Sequence, residues 1–545
     1  MAYKTVAFVA KEQLPALPPP PSTTGPMGWL KENLFSSIAD TVMTIIALIL
    51  VVWLIDNIIV WCFLNGVWNA DSLRGCREIW AADGGSGLYH SLTGQIWEAI
   101  FGASETKGGH GAPGACWAVI VERFDQFIYG FYPVEGRWRP NLAFIFMLVA
   151  IAYVLFDKMP MRKAGLIFAG LMPILGYWLI WGGSIWVVPL IVITAVLAIA
   201  VYRAVTSDID PTIKTVVAGV LAAVVGLFAA AVANLIFVVF DDIFLSGDNV
   251  TSLLDFDALQ NAGTGLIFSA VIPLAIGAAG AAYVFGAFRK GSTGAAIAAA
   301  AIVAVAWLGG VLAPLDGVLT NNIGHFGLEK VESASIGGFL LGIIIGVAGI
   351  VLSLPIGILL ALGRRSGMIF IQTISVVFIE FIRGVPLITL LFVASAVLAY
   401  FFPPGSNLDL ILRVVIMVTL FSSAYMAEVV RGGLAALPQG QYEAGDSLGL
   451  NYWQSMRLII LPQALKISIP NIVSSFIGLF KDTTLVVVIG LLDPVGLIGT
   501  IRAAPEWNGL VWEFYVFVGL FFFIACFGMS RYSMYLERKL ATDHR

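Results

Sequence analysis

Charge is scarce in this sequence. Only 12% of its 545 residues are Asp, Glu, Lys or Arg, against 59% hydrophobic, and its mean hydropathy is +0.92. Soluble globular chains carry about 25% charged residues, so water is excluded as the solvent of most of this chain and a bilayer takes its place. Cysteine and histidine are scarce too. Cys62, Cys76, Cys116 and Cys526, with His90, His110, His325 and His544, show no zinc-ligand spacing, and no metal site is expected. The net charge is -4 with no long Lys/Arg tract, which leaves no footing for nucleic acid. The dipeptide Gly-Lys is absent, and with it the phosphate cradle of a P-loop ATPase. Residues 1–28 lack the apolar core of a cleavable signal; with Lys4, Lys11 and the prolines Pro18 to Pro21 they read as a disordered cytoplasmic tail.

What is present is apolar length. Segments begin near Thr41, Leu142, Leu166, Ile185, Thr215, Gly265, Ala295, Ile336, Ile369, Leu410, Ile469 and Leu510. A bilayer core offers no hydrogen-bond partners, so runs of about 20 apolar residues must be helices. The expected fold class is an all-α polytopic membrane protein of about 12 transmembrane helices. An interfacial helix over Trp29 to Asp40 leads into the first span, since Trp29, Leu30, Leu34, Phe35 and Ile38 share a face.

Basic residues orient the spans. Lys158, Arg162 and Lys163, then Arg203 and Lys214, Arg289 and Lys290, Arg364 and Arg365, and Arg431, Arg457 and Lys466 fall in alternate loops, which are therefore cytoplasmic. Asp241 to Asn261 holds acids and no Lys or Arg, as an outer loop does. Both termini then lie inside. Arg137 and Arg139 break the pattern, but they close a loop of residues 69–140 that is too long for the rule to govern.

The chain divides near Ser335. Residues 1–40 form the tail and interfacial helix, 41–334 an Ala/Val-rich membrane region almost without motifs, 335–536 a segment holding every motif, and 537–545 a cytoplasmic tail. Function is expected after Ser335.

Tyr442 to Pro462 reads YEAGDSLGLNYWQSMRLIILP. Glycines Gly445 and Gly449 allow close approach of another backbone. Asn451 and Gln454 have the spacing of a capping box, Trp453, Met456 and Ile460 recur on one helical side, and Pro462 is expected to end the turn. This is a short helix on the inner face, shaped as a docking knob. The stretch resembles the cytoplasmic EAA loop of ABC importer permeases, here residues 439–466, through Glu443, Ala444, Gly445, Gly449, Ile459, Leu461 and Pro462. Gly445 stands where that family usually has Ala.

FIRGVPLITLL from Phe381, AYMAEVVRGGLAALPQGQ from Ala424 and FKDTTL from Phe480 resemble the polar amino acid permease branch. GACWAVI from Gly114 and QFIYGFYP from Gln126 are similar to its general L-amino acid and glutamate/glutamine/aspartate/asparagine subgroup. The resemblance implies a type I permease core of about five helices over 335–536, coupled by its EAA loop to a separate ABC ATPase dimer that binds ATP and magnesium. It also implies a periplasmic amino-acid-binding protein, a second related permease or a homodimer, a polar amino acid substrate and an inner-membrane location. No cofactor and no catalysis are expected in this chain. An ion-coupled secondary amino acid transporter is the alternative that helix number favours and the EAA loop opposes. Because that subgroup is expected to have fewer helices, Leu166 to Leu312 reads partly as an insertion.

Ionisable residues cost about 2.5 to 3.5 kcal/mol within a membrane, so Glu380, Arg383, Glu428, Lys481 and Asp482 need a reason. Glu380, Arg383, Glu428, Asp482, Thr483 and Thr484 are candidates for the substrate path; local pairs at helix ends, Glu380 with Arg383, Glu428 with Arg431 and Lys481 with Asp482, are the alternative. Gly384 and Pro386 are expected to break the helix after Arg383. Gly338, Gly342 and Gly346 allow close helix packing. Cys76 and Cys116 share the long outer loop, where an oxidising compartment permits a disulfide; two free thiols are the other reading.

Overall fold

A computed structural model describes residues 26–82, 114–156, 158–206, 270–289, 312–323, 327–397 and 409–541, with parts of 215–234 and 300–307. The proline-bearing tail, the acidic loop 241–261 and all four histidines lie outside these. In chain order the elements are α1 (Pro26–Asn33), α2 (Ile38–Ile59), α3 (Leu73–Ala82), α4 (Ala118–Glu122), α5 (Phe124–Tyr129), α6 (Trp138–Leu155), α7 (Arg162–Trp181), β1 (Gly183–Ser184), α8 (Val187–Thr206), α9 (Ile272–Arg289), α10 (Leu312–Ile323) and β2 (Gly327–Leu328). There follow α11 (Gly338–Arg364), α12 (Ile369–Gly384), α13 (Leu387–Phe392), α14 (Leu410–Ala435), α15 (Gln439–Ser447), α16 (Tyr452–Ser455), α17 (Leu461–Asp482), α18 (Pro494–Arg502) and α19 (Trp512–Ala541).

Among the described residues seven helices are long and apolar enough to cross a membrane, or eight if the bent pair α12 and α13 is one span. The segments expected from Thr215 and Ala295 fall largely outside the described residues. The span expected from Ile469 starts earlier, because α16, a π-turn over Met456–Ile460 and α17 run on as one stretch from Tyr452 to Ile489. The interfacial helix expected over Trp29 to Asp40 is two pieces. It stops at Asn33, and Ser37 caps α2 by accepting the Asp40 N–H at 3.1 Å.

Contacts divide the chain into two units, Met1–Phe124 with Ile501–Phe517, and Asp125–Thr500 with Val518–Arg545. In the first, α2 buries none of its side chains, as suits a helix that is apolar all round and meets lipid. Beyond it, Cys76 and Cys116 are joined by a disulfide, and Trp117 lies between Trp61 and Trp68 at centroid distances of 6.0 and 5.7 Å. The Cys116 N–H donates to Glu513 Oε1 (3.1 Å), and the Leu73 N–H to the Glu506 carbonyl (2.8 Å).

In the second unit, α11 packs most extensively on α14, and α14 on α17. Small residues set those distances. A Cβ on Gly357 would stand 2.4 Å from Met426 Cβ, and one on Gly346 2.9 Å from the Phe480 ring. Gly342 and Gly346 thus serve packing within the chain, whereas Gly338 opens α11 with a φ of +62° and lets the Phe127 carbonyl approach. One core runs across the division at Ser335: Tyr132, Ala143, Leu179 and Ile180 pack with Ile336, Leu341, Ile345, Val414 and Leu479. The two outer arginines of the long loop are held by structure. Arg139 is buried and donates to the Glu329 carbonyl at 2.6 Å, and Arg137 pairs with Asp125 and covers the Tyr129 ring.

Candidate functional site

The loop expected over residues 439–466 starts where α14 ends. Pro438 sets the entry to α15, and Gly449, at φ +68°, reverses the chain after it. Asn451 then opens α16 with a complete capping box: Asn451 Oδ1 accepts the Gln454 N–H at 2.9 Å, and Gln454 Oε1 accepts the Asn451 N–H at 3.0 Å. Gly445 is buried, and a Cβ there would stand 2.4 Å from Ser455 Oγ. The residue that departs from the usual Ala is therefore the contact that closes α15 onto α16.

Two readings of this loop need correction. Pro462 does not end a helix; it sits in the first turn of α17, where its missing N–H matters least, and the π-turn before it absorbs the mismatch. Met456 and Ile460 are buried, but Trp453 is 63% exposed, so the three do not share a face. Met456, Ile460 and Ala464 instead clamp the loop to Ala361, Leu362, Ala427, Val430 and Leu434 at the ends of α11 and α14. What faces outward is Glu443 and Ala444 with Leu448, Tyr452, Trp453 and Leu458. These apolar side chains form an exposed patch on a loop held firmly from behind.

Beside the loop lies a cluster of charges that the sequence reading only partly foresaw. Glu428 of α14 is the hub, with its side chain 16% exposed. Its Oε1 takes Arg364 Nη1 at 2.6 Å, its Oε2 takes Arg431 Nε at 2.9 Å, and Arg383 Nη1 stands 3.9 Å away. Glu380 pairs with Arg364 at 2.8 Å across helices rather than with Arg383 on its own. Arg383 covers the Tyr425 ring instead, at 5.6 Å. Arg364 had registered only as an inner-loop charge, since nothing local in sequence ties residue 364 to 428. Next to it, Arg365 donates to the Tyr442 hydroxyl at 3.1 Å and lies over that ring, while the hydroxyl donates to the Leu434 carbonyl at 3.2 Å. Tyr442 thus ties α15 to the ends of both α11 and α14.

The helix expected to break after Arg383 turns by 104° between α12 and α13, at Val385 and Pro386. Asp482 lies elsewhere. Ser468 Oγ donates to the Val429 carbonyl at 3.2 Å, which sets the level of Glu428 on α17. Asp482 is 14 residues further along, about 21 Å at helical rise. The residues grouped as a substrate path therefore form two groups, Glu380, Arg383 and Glu428 near the coupling loop, and Asp482, Thr483 and Thr484 at the far end of α17. Both hydroxyls donate to the preceding turn, Thr483 to the Phe480 carbonyl at 2.8 Å and Thr484 to that of Lys481 at 2.9 Å. Each keeps lone pairs for accepting.

The family described as binding-protein-dependent transport system inner membrane component matches residues 353–542. The chain is 44% identical over 541 residues to a glutamate/glutamine/aspartate/asparagine transport system permease protein, BztC, of Rhodobacter capsulatus, covering 99% of both chains. It is 32% identical to an inner membrane amino-acid ABC transporter permease protein, YhdY, of Escherichia coli, over 97% of this chain and 96% of the other. A probable glutamine ABC transporter permease protein, GlnM, of Bacillus subtilis is 32% identical over 207 residues, which is 38% of this chain and 91% of that one. The first two matches span nearly the whole length, so Leu166 to Leu312 is not an insertion relative to them.

Proposed function

The chain belongs to the amino-acid ABC transporter permeases, and from that premise we propose that it forms half of the pore of an ATP-driven importer for glutamate, glutamine, aspartate, asparagine or a wider set of polar amino acids. The observation that carries this reading is the coupling loop: an exposed apolar patch of Leu448, Trp453 and Leu458 around a left-handed glycine, clamped from behind to two pore helices. A separate ATPase dimer binds there, holding ATP and magnesium. A periplasmic binding protein delivers the amino acid on the opposite side, and a second, related permease completes the pore. The protein lies in the inner membrane with both termini in the cytoplasm, as the alternating basic loops support.

Closure of the ATPase dimer displaces α15 and α16. Their clamp passes that displacement to α11 and α14, and the Arg364–Glu428 and Arg365–Tyr442 contacts hold the inner helix ends together in the present state. Reorientation of the pore requires these contacts to exchange. At the far end of α17, Asp482, Thr483 and Thr484 receive the ammonium and polar atoms of the substrate.

The test is uptake by proteoliposomes holding the complete complex. Gly449→Asp, which sets a charge on the docking surface, should abolish ATP-driven uptake while the chain stays in the membrane. Normal uptake by that variant removes the coupling assignment. Asp482→Asn should weaken transport of every zwitterionic amino acid by a similar factor; an effect confined to one substrate would make Asp482 a reader of side chains. Uptake driven by an ion gradient without nucleotide would replace the import reading with secondary transport.

A further inference from the structure

The region before Ser335 carries a cavity that the import cycle does not use. At the end of α11 away from the coupling loop, about 40 Å along its 27 residues, the chain passes from α7 through β1 into α8, and β1 pairs with β2 through Gly183 and Leu328. Two adjoining spaces lie here, of about 240 and 360 Å³, sharing Gly183, Ser184 and Asp316. The smaller is walled by Tyr177, Trp178 and Trp181; the larger opens past Thr320 and Glu329.

Its walls are fixed. Trp178 Nε1 donates to the Gly183 carbonyl at 3.2 Å, and Trp181 Nε1 to Ser333 Oγ at 2.7 Å. The Tyr177 and Trp181 rings stack with centroids 5.0 Å apart and planes at 20°. Gly182, at φ +74°, lets the Glu329 carbonyl approach to where a Cβ would stand, so the strand pair is locked beside the cavity.

Against this wall stands a carboxylate with one unanswered oxygen. Asp316 Oδ1 is buried and has no hydrogen-bond partner among the described residues. A carboxylate oxygen left so loses its water without compensation, and a charged donor would restore it. Aromatic faces attract the same kind of ligand. Ser184 Oγ and Thr320 Oγ1, 3.5 Å apart, supply further acceptors, and Lys330 lines the smaller space with a positive charge. Several acceptors around one point suit the three N–H bonds of a primary ammonium; a quaternary ammonium has none to give.

We propose that this cavity binds the primary ammonium of a small zwitterion, with the cation on Asp316, its methylene carbons on the Tyr177 and Trp181 rings, and its anionic group toward Lys330. Two sources carry that chemistry, the headgroup of phosphatidylethanolamine and a free α-amino acid. The assignment stands apart from the import reading, because none of its residues lies in the coupling loop or on α17.

The full chain in nanodiscs, weighed by native mass spectrometry, tests it. If the source is lipid, phosphatidylethanolamine is retained by the wild type, and Asp316→Asn weakens that binding by about tenfold or more while phosphatidylglycerol binding is unchanged. If the source is free, L-glutamine titrated onto chain in phosphatidylglycerol nanodiscs shows the same loss. Tyr177→Leu, which removes a partly exposed ring and leaves the carboxylate, should weaken the same ligand and decides the matter if Asp316→Asn does not fold. Binding of both probes that is absent, or insensitive to both substitutions, overturns the site.

Discussion

Asp493 shows how burial moves a single ionisable group. Its side chain is fully buried just after the long stretch from Tyr452 to Ile489, and loss of water pushes its pKa up to about 6, against the opposing pull of the Gly496 and Val495 N–H groups. A raised carboxyl favours the folded state most when protonated. The contribution is full below the unfolded value, 3.8, and is lost as pH rises through about 6. Local stability around α18 should fall across that window by up to about 3 kcal/mol. Hydrogen exchange of residues 491–502, corrected for intrinsic rate, should show this fall, and Asp493→Asn, which keeps a capping oxygen, should flatten it. A slope unchanged in the variant would assign the pH effect to another group. Glu428 is a carboxylate held by ion pairs, among three guanidinium groups. Glu428→Gln should lower thermal stability by about 1 to 3 kcal/mol, because Arg364 and Arg431 lose a charged acceptor. In a double-mutant cycle with Arg364→Gln, additive losses would mean that the two side chains do not interact.

Among the elements, the loop of α15 and α16 was the most legible from sequence and still held a surprise. The capping box, the small residues and the spacing of Glu443, Gly449 and Pro462 were plain, because each is a local requirement. The outward turn of Trp453 was not, since which side of α16 packs on α11 and α14 is a tertiary matter that spacing does not contain. Asn451→Ala should cost about 1 kcal/mol of local stability through loss of the cap. Its expected signature is reduced uptake per ATP hydrolysed by the reconstituted complex, with the chain still inserted. Unchanged coupling would show that partner contacts, not the cap, hold α16. The sharp turn at Pro386 was legible for a similar reason, as Pro removes a donor wherever it stands. The pairing of Glu380 with Arg364 was hidden, because partners 16 residues apart on separate helices leave no trace in helical spacing.

For the whole molecule, the disulfide of Cys76 and Cys116 ties a loop of 40 residues in the unit that also holds Ile501–Phe517. Replacing both cysteines by Ser should destabilise that unit by about 2 to 4 kcal/mol. Thiol labelling of protein from its own host, followed by melting with and without reductant, would check it. Free thiols on both residues would remove the prediction. Composition by itself determined that this chain lives in a bilayer, that its spans are helices and that it carries no P-loop, because those follow from hydropathy, unmet backbone hydrogen bonds and a missing motif. The capped loop after α14 and the broken helix were determined the same way, each by residues close together in the chain. Only the tertiary structure decided that Tyr132 and Leu179 share a core with Leu341 and Leu479, that Glu428 meets Arg364 and Arg383, and that Asp316 faces a cavity walled by Tyr177 and Trp181. Those are meetings of residues far apart in sequence, and nothing short of the packed helices brings them to one place.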